Sequence, residues 1–185
     1  MTTASPQHSP QALSLARIAP RSPGAIVEIV SDALDAHGNI DVRHSAYGEN
    51  LSPPLRWTAV EGAGAYALIL EDPDAPREKP FVHWMIWNIP GETTSLPEGL
   101  PNSARLITPQ NAEQGRNDNG SFGYFGPRPP AGHGQHHYHF QIFALDGPLT
   151  LKPEHADLRA LVDAMKGRVL ADSEVVGLFE APQQQ

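Results

Sequence analysis

Four of the nine histidines in this 185-residue chain lie between residues 133 and 139. The run Gly126-Pro-Arg-Pro-Pro-Ala-Gly132 leads into them, as His133-Gly-Gln-His136-His137-Tyr138-His139. Imidazoles at that density suit metal ligation, general acid–base work or hydrogen bonding to an anion. Asp72 and Asp74 in Asp-Pro-Asp, and His83 in the run Phe81 to Asn88, are further polar residues placed where apolar runs begin or end. The chain has no cysteine, which excludes disulfides, thiolate nucleophiles and cysteine-based zinc sites. GxSxG, P-loop and HExxH motifs are absent, and no nucleophile is evident. An acid–base pair of Asp72 and Asp74 competes with a plainer reading, in which Pro73 and Pro76 make a rigid turn whose second aspartate accepts backbone N–H groups.

The elements that must position these residues are short strands. β-type runs AIVEIVS, YALILED, FVHWMIWN and YHFQIFAL alternate with Gly, Pro and Asn punctuation. Successive strand side chains point to opposite faces. The face carrying Tyr66, Leu68 and Leu70 therefore ends on Asp72, a carboxylate that needs a partner if buried. His83 falls in the row of Met85 and Trp87, where a core histidine bonded to a carbonyl is the plain alternative to a ligand. His136, Tyr138, Phe140 and Ile142 share one face, whereas His137, His139 and Gln141 share the other.

The histidines therefore divide between two constellations. In one, Asp72, His83, His136 and Tyr138 converge beside the loop 126–134, where two imidazoles and a phenol donate hydrogen bonds to a small anion such as a phosphate monoester. In the other, His137 and His139 offer an HxH pair to a metal, with no third ligand at a diagnostic spacing and a solvated strand face as the plain reading. Near the C-terminus, Leu158, Leu161, Val162 and Met165 follow a helical period, and Gly167 can end that helix in the left-handed conformation.

Composition bounds the partners. The net charge of -8 with 13 Lys and Arg argues against a nucleic-acid surface. The length suits one domain. Residues 1–22 are rich in Ser, Pro, Ala and Gln and read as a flexible tail, with a short amphipathic helix at Gln11 to Ile18 as the one element within it. The chain start lacks a signal-peptide pattern, and no apolar run approaches the roughly 20 residues of a membrane span, so the expectation is a cytoplasmic protein.

Together these residues resemble the phosphatidylethanolamine-binding protein family, which includes Raf kinase inhibitor protein, and most of all its bacterial and archaeal branch. The resemblance rests on Leu70-Glu-Asp-Pro-Asp-Ala-Pro76, His83-Trp84, Gly126-Pro-x-Pro-Pro-x-Gly and His136-His-Tyr138, in order. Supporting matches include Asn50-Leu-Ser-Pro-Pro-Leu-Arg-Trp57, Trp87-Asn-Ile-Pro90 and Phe143-Ala-Leu-Asp146. It implies a mainly β fold, with a large antiparallel sheet packed with a smaller sheet and few helices near the C-terminus, forming a single domain over 23–182. It further implies a cavity for phosphate-like anions built from Asp72, His83, His136 and Tyr138, walled by Gly126, Pro129 and Pro130, with Trp84 and Trp57 nearby. Asp74 would hold the turn, and Ala75–Pro76 would be a cis bond. His137 stands where many members have arginine, and Arg128 where bacterial relatives often have cysteine.

The resulting expectation is a non-enzymatic binding or regulatory protein without a cofactor. Its ligand would be a small anion or a phosphorylated, phosphatidylethanolamine-like head group, and its protein partner a kinase or protease to be inhibited. The alternatives are a metal-dependent enzyme using His137 and His139, and a structural homodimer module in which Asp72 and His136 would be dispensable.

Overall fold

The computed structural model describes residues 12–21 and 24–183. Helix α1 (Ser14–Arg17) precedes strands β1 (Ile29–Val30), β2 (Leu55–Trp57), β3 (Ala65–Asp72), β4 (Phe81–Pro90), β5 (Ser95–Leu96), β6 (Glu113–Gln114) and β7 (His136–Leu145). Helix α2 (Leu158–Met165) then leads into β8 (Val169–Phe179). Every strand pairing is antiparallel, in a small sheet of order β1-β2-β5 and a large sheet of order β6-β4-β3-β7-β8. The mainly β expectation, with a large sheet beside a smaller one, holds.

The alternating pattern of β3 serves two cores. Tyr66, Leu68 and Leu70 join Leu55, Trp57 and Phe140 in a core between the sheets. Ala65, Ala67 and Ile69 join Met85, Trp87 and Phe143 in a second core on the opposite face. That second core is covered by Leu161, Val162 and Met165 of α2 and by Ile18. α2 has the expected helical stripe; Asp157 caps it by accepting from Ala160 N, and Gly167 follows with φ of 72°. Both faces of the large sheet must be covered because both are apolar, which gives three layers.

Four expectations need correction. First, residues 12–21 of the expected tail are not loose: Ser14 N donates to Glu71 Oε2 at 2.8 Å and Leu15 N to Gln141 Oε1 at 2.7 Å. Residues 1–11 lie outside the described residues. Second, Ala75–Pro76 is trans, and among the described residues the cis bond is Thr108–Pro109. Third, the face of His137 and His139 is not a solvated strip throughout, since Gln141 on it is fully buried beside Glu71. Fourth, His83 does not follow the row of Met85 and Trp87. Leu70 pairs with Trp84 but Glu71 with Val82, so β4 carries one extra residue there, His83. This β-bulge brings His83 and Trp84 to the same side of the sheet, a reversal that strict alternation cannot express.

Candidate anion site at the sheet end

β3 ends where its neighbours β4 and β7 begin, so Asp72, His83 and His136 meet at one end of the large sheet. Asp72 and His136 are nearly fully buried and joined by a 2.8 Å contact between His136 Nδ1 and Asp72 Oδ2. The other carboxylate oxygen of Asp72 accepts from Asp74 N at 2.8 Å, which ties the Asp-Pro-Asp turn. Burial pushes the Asp72 carboxyl upward, and its bond and charge interaction with His136 oppose that rise.

Asp74 does hold structure, as the family resemblance implied, but by reaching across to β7. Its Oδ2 accepts from His137 N at 2.8 Å and also contacts His137 Nδ1 at 2.8 Å. Burial works to raise the Asp74 carboxyl, yet these His137 contacts outweigh it and leave the group below its ordinary value.

His83 is packed among rings, with centroids 4.6 Å from Phe81, 5.9 Å from Phe125 and 5.2 Å from Tyr138. Its Nδ1 lies 2.6 Å from the Phe125 carbonyl. A carbonyl only accepts, so Nδ1 carries the proton. Burial pushes the ring down to about 4, because a desolvated imidazolium is costly. His83 is thus neutral near pH 7, with its remaining nitrogen a lone-pair acceptor.

The loop 123–135 is fastened from several sides. Gly126 N donates to Asn50 Oδ1 at 2.7 Å, and Tyr47 Oη donates to the Pro129 carbonyl at 2.7 Å. Gly126 is required by close approach, since a Cβ there would collide with the His44 carbonyl. At the loop tip, His133 Nδ1 sits 2.7 Å from His136 Nε2.

These elements enclose a cavity of about 360 Å³. Asp72, His83, His136, Pro129 and Pro130 line it. Arg77, Arg128, Phe81, Phe125 and Asn119 line it too and were not assigned to the site from the sequence. Phe81 and Phe125 stood directly beside His83 and Gly126 in the same segments, which was the available signal. Arg77 reaches the cavity from the turn after Pro76, and only the folded turn reveals this.

Three expected members are not in the lining: Gly126, buried behind it against the His44 carbonyl, Trp84 and Tyr138. Trp84 is fully buried in the first core, where its Nε1 donates to Gln114 Oε1 at 2.7 Å. Tyr138 lies fully buried beside His83 and His136, and its hydroxyl has no partner among the described residues. Burial raises the phenol, so it remains a donor. The expectation that both imidazoles donate into the cavity also changes. His83 gives its proton to Phe125, and His136 directs Nδ1 at Asp72 and Nε2 at His133.

The HxH pair on the far side is split. His137 Nδ1 faces Asp74 and His139 Nδ1 faces Glu174 at 2.9 Å. No group of three or more His, Asp or Glu suited to a metal ion occurs among the described residues. No helix among them is long and apolar enough to cross a membrane.

Known proteins share this architecture. A family model described as phosphatidylethanolamine-binding protein matches residues 30–180. A UPF0098 protein of Methanothermobacter thermautotrophicus is 43% identical over 154 residues, covering 83% of this chain and 98% of that protein. Among solved structures, Escherichia coli YbcL, described as a new member of the mammalian PEBP family, superposes with a TM-score of 0.77 at 29% identity, covering 84% of this chain and 99% of that one. The PEBP homolog CT736 of Chlamydia trachomatis gives 0.73 at 32% identity, covering 84% and 98%. With the family model spanning most of the chain and the sheets, turn and loop of the fold in place, this chain belongs to the phosphatidylethanolamine-binding protein family.

Proposed function

We propose that the chain is a non-enzymatic binding protein whose cavity takes phosphate or a phosphorylated head group and thereby serves a regulatory role. The observation that carries this reading is the pairing of two arginines, Arg77 and Arg128, with the buried Asp72–His136 unit around one 360 Å³ cavity. The chain as a whole is acidic, with a net charge of -8, so general electrostatics repel anions. Local cations in a recess are what make an anion site. Phe81 and Phe125 add apolar wall suited to the carbon part of a small head group.

The test is calorimetric titration of inorganic phosphate and O-phosphoethanolamine into the wild type, Arg77→Ala and Arg128→Ala. Each substitution removes a charge-assisted contact and is expected to weaken binding about tenfold. A folded wild type that binds neither compound overturns the reading. Its regulatory half, inhibition of a kinase or protease partner in the cytoplasm, is part of the same proposal, and membership of this family supports it only as a binding or regulatory role in general. It is tested by fractionating the native cells and by whether bound phosphate alters capture of such an enzyme.

A further inference from the structure

An anion cavity that contains a carboxylate poses a chemical problem. Asp72, His83 and His136 are the buried polar side chains of the lining, and both nitrogens of His136 are already engaged, by Asp72 and by His133, whereas Arg128 is exposed and the Arg77 side chain is 41% exposed. Cations therefore stand at the mouth, Arg128 and an Arg77 that also pairs with Asp118 Oδ2 at 2.8 Å, and the floor is made differently. The Asp72 oxygens hold Asp74 N and His136 Nδ1 and retain further lone pairs. His83 has its proton fixed on Nδ1 by the Phe125 carbonyl, which leaves Nε2 as the ring's lone-pair nitrogen. Surrounded by Phe81, Phe125 and Tyr138, that ring stays neutral, as burial dictates. The floor thus offers two acceptors.

An oxyanion that carries no proton would meet acceptor with acceptor at that floor. One that keeps an X–OH group can donate to it while its charged oxygens remain with the arginines. We propose that the cavity selects a protonated oxyanion, hydrogen phosphate or the monoanion of a phosphate monoester, and rejects sulfate and phosphodiesters. This rests on the anion-site reading above and narrows it. An intact phospholipid head group is a diester without P–OH, so the favoured ligands are free phosphate and phosphomonoesters. Asp72 acts here as a specificity residue: a site built to pair a hydroxyl leaves its own polar groups unsatisfied when that hydroxyl is missing.

The experiment is calorimetry on the whole chain at about pH 6, where a phosphate monoester is roughly half monoanion, with inorganic phosphate, methyl phosphate, dimethyl phosphate and sulfate. Phosphate and methyl phosphate should bind, with sulfate and dimethyl phosphate weaker by about 100-fold. Asp72→Asn removes the carboxylate charge and places an amide donor at the floor, so it should bring sulfate to within about tenfold of phosphate. Phosphate and sulfate binding equally to the wild type would overturn the selectivity and leave the anion site standing. Binding of none of the four would overturn both. Discrimination that persists unchanged in Asp72→Asn would remove Asp72 from the role, and the wild-type comparison needs no variant to fold.

Discussion

His133 contacts His136 Nε2 at 2.7 Å, a nitrogen that a ligand oxygen would otherwise approach. The residue sits on a tip between Gly132 and Gly134, both at positive φ (76° and 85°), and a Cβ at either would meet nothing within 4 Å. The tip is therefore free of steric hold beyond a turn bond from His133 N to the Pro130 carbonyl. A histidine so placed competes with ligand for one hydrogen bond. His133→Ala is expected to strengthen phosphate binding about fivefold, the worth of one net hydrogen bond, measured by the same titration. Affinity that falls would show His133 to be a contributor to the ligand site and not a competitor.

At the scale of elements, two devices shape the site. The bulge in β4 turns His83 toward Asp72; without the extra residue it would face the second core with Met85. The other device is the segment containing α1, a four-residue helix too short to be stable alone. It is held by the fully buried Glu71, whose Oε2 accepts from both Ser14 N and Gln141 Nε2 at 2.8 Å. Ile18 closes the second core beside it. Removing residues 1–18 strips Glu71 of one donor, leaves the Gln141 carbonyl oxygen without Leu15 N, and uncovers apolar surface. We expect a loss of about 3 kcal/mol in denaturant unfolding. An unchanged midpoint would mean that the segment rests on the sheet without stabilising it.

For the whole molecule, three layers leave β3 buried along its entire length, so the site at its end is attached to the most protected part of the fold. Protonation at the site therefore bears on global stability. His83 moves from an ordinary value of 6.5 to about 4 on folding. Between those values the unfolded chain binds a proton that the native chain refuses, so stability rises with pH across this window and falls on acidification. The loss on reaching pH 4 is on the order of 3 kcal/mol. Asp72 acts in the opposite sense, over a window that opens at its ordinary value and runs upward. Its raised carboxyl favours the native state when protonated, a contribution that is lost as pH climbs above the ordinary 3.8. Unfolding midpoints compared between pH 7 and about pH 4.5 should fall for the wild type and fall less for His83→Gln. Equal declines would show that other groups drive acid sensitivity.

By itself the sequence determined the class of fold, the central strands β3, β4 and β7, helix α2, and the approach of Asp72 to His136. All but the last follow from local alternation, helical spacing or a motif within one segment; the approach of Asp72 to His136, 64 residues apart, was legible only through two ends of strands placed side by side and the resemblance to a known family. It carried little sign of β8, whose eleven residues mix buried and half-covered positions along a sheet edge. Only the tertiary structure decided that His83 leaves its row, because a bulge is defined by a partner strand, and that residues 12–21 dock, because Glu71 and Gln141 lie 57 and 126 residues away from the backbone groups they accept from. It also decided which site groups donate and which accept. A histidine's type permits either role, and what settles it is the neighbour across the fold: the Phe125 carbonyl for His83, and Asp72 and His133 for His136.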